Sequence, residues 1–370
     1  MKTTLLITAS LLALGTAPAF AQDDTVASGG TGINLKLSGQ VNRGVLFVDD
    51  GTDNSTLFVD NDNSSTRFRL TGDADINEDW RAGFNIEIQA ESNSTANVSQ
   101  TDPNPSSSDF LSERKLEAYI ESDSFGRLTF GQGDTASNNT SEVDLSGTTV
   151  VGYSGVEDTA GGVQFRDSDG AFIGTTVGDA FTNLDGLSRR DRLRYDTPSF
   201  GGLTLSASVG ADAEDADETF YDVAAAYKGD FGGVQVAGAL AYAAQTVGGA
   251  DQEIINGSFS ALHDSGFSLT LAGGNQETDG VADDVTFGYV KAGYQADFTS
   301  LGKTAFAVDY AVNENVLGLD DESTSYGVLA VQNIDSVGTE LYAGIRNYEV
   351  EGIGDVEDVT VILAGARVRF

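Results

Sequence analysis

The chain has 370 residues, no cysteine, and a formal net charge of −37 from 57 Asp and Glu against 20 Lys and Arg. That balance excludes a nucleic-acid binder, whose phosphate contacts need basic residues, and the missing thiols exclude disulfide staples and thiolate metal sites. With 40% hydrophobic residues, 12 Tyr and 20 Phe, the chain is too apolar to be a solvating tail.

The opening "MKTTLLITASLLALGTAPAFA" has the form of a secretory signal: Lys2, an apolar run from Leu5 to Leu14, then Ala19-Phe20-Ala21 as a small-x-small cleavage site. Residues 1–21 are therefore expected to be removed, leaving 22–370 outside the cytoplasm. No later apolar run reaches the ~20 residues of a membrane-spanning helix. Membrane-spanning strands remain open to it, because they need only ~9–11 residues with every second one facing lipid.

From there the chain alternates at period 2 through sixteen candidate strands. The first is "INLKLSGQVNRGVLFVD", the second "STRFRLTGDADI", the third "WRAGFNIEIQA", followed by "KLEAYIE" and "RLTFGQG". After a long interval come "DRLRYDT", "GLTLSASVG" and nine further strands ending in "DVTVILAGARVRF". Parity assigns the faces. Phe68, Leu70, Ala74 and Ile76 share one face of the second strand, with Arg67, Arg69, Thr71, Asp73 and Asp75 on the other. In the last strand Ile362, Ala364, Ala366, Val368 and Phe370 oppose Arg367 and Arg369.

The connections are of two kinds in alternation. Short ones are built on Gly, Phe and Asp ("SDSFGR", "TPSFGG", "KGDFGG", "DFTSLGK"). The others are longer, acidic and polar ("DDGTDNSTLFVDNDNSS", "ESNSTANVSQTDPNPSSSD", "GADAEDADE", "QTVGGADQE", "NENVLGLDDES"). A soluble β-sandwich shares the alternation. The two-class connections, uniform hairpins and only 4 Pro favour an all-β transmembrane antiparallel barrel, with short periplasmic turns and long outer loops.

The strand "LKLSGQVNRGV", the stretch "SFGRLTFGQGD", the stretch "RLRYDTPSFGGLTLSASVG" and the terminal Phe370 together resemble the Gram-negative general porins, especially the alphaproteobacterial type. The resemblance spans the mature chain. It implies a sixteen-stranded outer-membrane barrel, usually a homotrimer, that passes small hydrophilic solutes, with a third loop folded into the lumen. It also implies that Phe370 is read by the barrel-assembly machinery.

One interval is out of scale: residues 134–189 hold roughly 55 residues, where loops beyond ~12–15 are usually functional. At this position the family carries its constriction loop, so Glu142, Asp144, Glu157 and Asp158 are the candidate acidic side of a pore. The candidate basic wall is Arg67, Arg69, Lys115, Arg192 and Arg194. Arg114 replaces Lys115 if the strand shifts by one residue, and Gln40 stands where relatives are often basic. Opposed charges would set a field across a narrow aqueous path. Arg189 and Arg190 are either part of that wall or rim contacts to lipopolysaccharide.

Catalysis is not expected. The only histidine, His263, sits at a strand end beside the turn "DSGF", and nothing near it suggests a triad. No cofactor is implied. The acidic loops could bind Ca²⁺ weakly, but they lack an EF-hand frame. The competing reading is a loop-capped outer-membrane barrel acting as an adhesin or surface receptor.

Overall fold

The computed structural model describes residues 26–27, 32–105, 110–211, 219–318 and 320–370; the expected signal segment lies outside them. Sixteen strands form one antiparallel barrel. The first six are β1 (Asn34–Asp49), β2 in two pieces (Asn54–Asp60 and Arg67–Asp75), β3 (Trp80–Ala90), β4 (Leu111–Ser122), β5 (Gly126–Asp134) and β6 (Arg189–Asp196). Then come β7 (Leu203–Ala211), β8 (Thr219–Asp230), β9 (Val234–Val247), β10 (Ala250–His263) and β11 (Phe267–Thr278). The last five are β12 (Val285–Thr299), β13 (Gly302–Glu314), β14 (Glu322–Ile334), β15 (Thr339–Glu351) and β16 (Val359–Arg369).

Each strand pairs with the next, and β16 returns to β1 with Leu46 opposite Leu363 and Gln40 opposite Arg369. Closure satisfies backbone groups that have no water to turn to in a bilayer. Outside, the alternate positions form an apolar band that includes Leu37, Phe68, Leu205, Val223, Leu271, Val308 and Ile345, all exposed. A soluble protein does not display so large an apolar surface. Lipid is the solvent that fits it.

Aromatic rings ring the short-turn end. Phe125, Phe200, Phe231, Phe267, Phe298 and Phe370 are each at least 60% exposed. Several pack on neighbours: Trp80 stacks on Phe125 at 6.0 Å between centroids, Tyr227 stacks on Phe231 at 6.2 Å, and Phe267 meets Tyr294 tilted at 4.8 Å. This is the girdle expected where a barrel meets an interface.

Two segments that the sequence marks as long loops contain strand. In "DDGTDNSTLFVDNDNSS" the turn is confined to residues 50–53, with the Asp50 carboxylate accepting from the amides of Thr52 and Asp53. The chain then returns at once as the first piece of β2. In "QTVGGADQE" only Gly248 and Gly249 turn, both at positive φ, as a two-residue hairpin requires. Charged composition here marks strand that projects into water beyond the lipid, not loop.

The core lies inside the barrel. Loop residues Val150, Val156, Val163, Phe165 and Phe181 pack against inward Leu46, Val59, Leu329 and Val361. Those strands carry apolar runs ("VLFV", "VLAV", "VILA") because both of their faces are covered.

Candidate functional site

The connection between β5 and β6, residues 135–188, runs along the inner wall. Its backbone bonds in turn to β8 (Ser137 amide to Asp222, 2.7 Å), β10 (Val143 amide to Ser258 Oγ, 2.9 Å) and β12 (Gln295 Nε2 to Leu145 O, 2.8 Å). It then meets β15, where Tyr348 donates to Val156 O at 2.7 Å, and the break in β2, where Asn61 donates to Val150 O at 2.7 Å. It also carries a small hairpin, Gln164–Arg166 with Phe172–Thr176, and one helical turn, Val177–Ala180, closed by a Thr176–Asp179 capping box. The loop thus covers the inner wall from β8 round to β2. What it leaves bare is the arc from the lower piece of β2 to β6.

Arginines gather on that arc. Arg67 and Arg69 on β2 and Arg114 on β4 all converge on Glu87 of β3. Arg114 Nε lies 2.9 Å from its carboxylate and Arg67 Nη1 3.8 Å, and Arg69 is in direct contact. Glu87 is 1% exposed, whereas the Arg67 and Arg69 side chains are 25% and 38% exposed. The carboxylate is thus sealed behind guanidiniums that face the lumen. The question of Arg114 or Lys115 resolves as both. Lys115 pairs with Glu87 and Glu113 with Ile88, so Arg114 is the extra residue of a β-bulge. The bulge turns both side chains inward, Lys115 onto Asp134.

The loop itself carries several carboxyl groups. Glu142 accepts from Asn183 Nδ2 at 3.0 Å, Asp158 accepts from the Tyr153 hydroxyl, and Asp185 accepts from the amides of Asn139 and Ser141. Burial pushes Glu157 and Asp185 up to about 7. Burial, then the neighbouring Asp185, holds Glu142 well above the ordinary carboxyl range; burial, then Glu157 and Asp62, does the same for Asp158. The loop is therefore less negative near neutral pH than its composition suggests. Arg189, at the start of β6, lies 4.0 Å from Asp134.

Two residues placed in the pore by sequence sit elsewhere. Asp144 turns to the wall and pairs with Lys291 at 2.7 Å, both side chains being 2% exposed or less. Arg192 is sealed against Glu117 and the carbonyls of Gly131 and Asp134, 2% exposed at its side chain. In each case a closer buried partner captures the charge. Arg194 is held by Asp196 at 2.8 Å and by Thr135 O, at the root of the loop. Gln40 is buried, and donates to the carbonyls of Ser64 and Ser65 at the β2 break. Arg190 reaches Gln245 on β9 at 2.7 Å, near the loop end of both strands. Phe370 exchanges both backbone hydrogen bonds with Gly39, and its ring lies outward in the girdle.

Sequence reasoning missed Glu87, Asp185 and Lys291 as site residues, and offered Arg114 only as an alternative to Lys115. An inward carboxylate between two inward arginine registers was a usable signal for the first. Among the described residues no three carboxyl or imidazole groups gather as a metal site, and His263 bonds only to Ser265 in its own turn.

A family model described as Gram-negative porin matches residues 8–352. Among solved structures, the anion-selective porin from Comamonas acidovorans is similar at 18% identity, covering 91% of this chain and 100% of its own, with a TM-score of 0.62. OmpT of Vibrio cholerae in its trimer form (14% identity, 92% and 100% coverage, TM-score 0.58) and Salmonella typhi OmpF in complex with daunomycin (14%, 92% and 98%, 0.60) share the fold. No curated protein matches. With the family model covering most of a closed sixteen-stranded barrel, the chain belongs to the Gram-negative porins and works as a channel in the outer membrane.

Proposed function

We propose that the path between the loop 135–188 and the arc of Arg67, Arg69 and Arg114 conducts small hydrophilic solutes and ions by passive diffusion. The observation that carries this is a long loop packed inside the barrel, together with a cluster of guanidiniums on wall strands to which it is not bonded. Such a constriction filters by size and dipole without energy coupling. The working unit is a homotrimer, in line with the trimer form of the similar OmpT. Outer-membrane lipid and lipopolysaccharide surround the barrel, and the assembly machinery reads the strand ending at Phe370.

Single-channel recording in a planar bilayer tests the reading. Stepwise ohmic conductance is expected, with a larger step when residues 152–162 are removed. A barrel that inserts but never conducts would overturn it and favour the loop-capped receptor.

A further inference from the structure

Inside the barrel, four residues lie opposite one another on consecutive strands: Lys291 on β12, Asp309 on β13, Gly327 on β14 and Arg346 on β15. Lys291 and Arg346 are 1% and 2% exposed, and Asp309 is 6% exposed. Arg346 reaches across Gly327 to Asp309 at 2.7 Å and donates to Ser325 Oγ at 3.1 Å. Glycine is required in the gap, because a Cβ at 327 would stand 2.7 Å from Asp309 Oδ1 and 3.0 Å from Arg346 Nη2. Tyr289 donates to the same carboxylate at 3.0 Å. The wall therefore holds two buried cations and one anion.

The second anion comes from the loop. Lys291 Nζ donates to Asp144 Oδ2 at 2.7 Å, Gly152 O at 2.7 Å and Thr148 Oγ1 at 3.1 Å. All three oxygens belong to the segment 144–152, which wraps the ammonium as it would a small cation. Gly152 lies so close that a Cβ there would approach Leu329 at 3.0 Å and Arg346 Nη2 at 3.1 Å. Charge in this buried row balances only while the loop is in place.

We propose that Lys291 is the latch of the loop, a positioning residue whose capture by Asp144, Thr148 and Gly152 holds the constriction against the far wall. This rests on the reading of the lumen as the conducting path. Withdrawing the loop would break a buried ion pair and two further hydrogen bonds to the ammonium, which only lumen water could replace. The apolar contacts of the same loop resist movement without specifying register; the ion pair fixes where the loop stops.

The test pairs Lys291→Met with Asp144→Asn, which leaves the wall intact if the first variant fails to assemble. Folded barrels are selected by their heat-modifiable gel mobility and exposed to chymotrypsin, following the cut after Tyr153 by mass spectrometry. In wild type that bond is protected. Each variant is expected to be cut at least about tenfold faster and to show conductance flickering between levels. The double variant should resemble either single one, since both remove one interaction. Folded variants with wild-type cleavage rate and a wild-type, quiet conductance would overturn the latch. Proteolysis does not depend on current, so a wild-type barrel that fails to conduct sinks the pore reading and leaves the latch to be decided.

Discussion

Replacing Glu87 by Gln should move the channel toward anions. Five cations, Arg67, Arg69, Arg114, Lys115 and Arg189, share two carboxylates, Glu87 and Asp134, so the arc has a local excess of three positive charges that the substitution raises to four. An ion passing about 8 Å away feels one unit charge as roughly 0.5 kcal/mol in water and 2 kcal/mol at an effective dielectric constant of 20. Screening at 0.1 M salt, with a Debye length of ~10 Å, cuts this by about half. We take about 0.3–0.5 kcal/mol, opposite in sign for K⁺ and Cl⁻, so their permeability ratio should change about three- to fivefold. The barrel should survive, because Arg67 and Arg69 are partly exposed and can turn to water. Reversal potentials across a KCl gradient give the ratio directly. An unchanged ratio in a conducting Glu87→Gln channel would mean that the arc does not border the ion path. The converse change, Arg67→Gln with Arg69→Gln, should strengthen cation preference.

The loop carboxyl groups make that preference depend on pH. Glu157 and Asp185, raised to about 7 by burial, are protonated at pH 6 and charged at pH 8, so cation preference should climb over this interval and flatten in Glu157→Gln with Asp185→Asn; an equal slope in that variant would place the titrating groups elsewhere. Trp80, the chain's only tryptophan, stacks on Phe125 at the short-turn end. Its fluorescence should be quenched more by lipids brominated near the headgroup than near the chain end; the reverse order would misplace the girdle. At the closing seam, a Cβ on Gly39 would come within 2.6 Å of the Phe370 ring and 2.7 Å of the Arg67 carbonyl. Gly39→Ala should therefore cost about 1–3 kcal/mol, read as a lower temperature for loss of the folded gel band.

Strand order and facing were legible because a barrel in lipid forces strict alternation. Phe68 and Ile362 have to face out, and Arg67 and Arg367 in, for the chain to be stable. The ends of the strands were not. Polar residues such as Thr56 and Gln252 belong to strands that rise above the lipid, where composition no longer tells strand from loop. The site was legible by register and not by partner. Asp144 meets Lys291, and Asp309 meets Arg346, only after the barrel has closed and the loop has folded in. Likewise Arg114 faces inward through a bulge, a single extra residue that period-2 counting cannot place.

The net charge of −37 misleads about the pore for a physical reason. Many arginines and lysines that line the interior, among them Arg67, Arg192, Lys291 and Arg367, have a carboxylate within ion-pair distance. Burial demands that pairing, since an unpaired cation in the wall would be far more costly than one in water. Pairing cancels much of the interior charge but leaves the arc of Arg67, Arg69 and Arg114 positive, sharing the one carboxylate of Glu87; the long acidic connections carry the surplus acid. Rim charges act on ions only within about a Debye length, ~10 Å at 0.1 M salt and ~3 Å at 1 M. The arc of Arg67, Arg69 and Arg114 acts at contact range whatever the salt. Mild cation preference should therefore appear in dilute KCl, from the rim, and shrink toward neutrality in concentrated KCl as the arc's share grows. Reversal potentials measured at a fixed concentration ratio over rising absolute salt follow that crossover. Anion preference already present in dilute salt would show that the arc outweighs the rim even when the rim is unscreened.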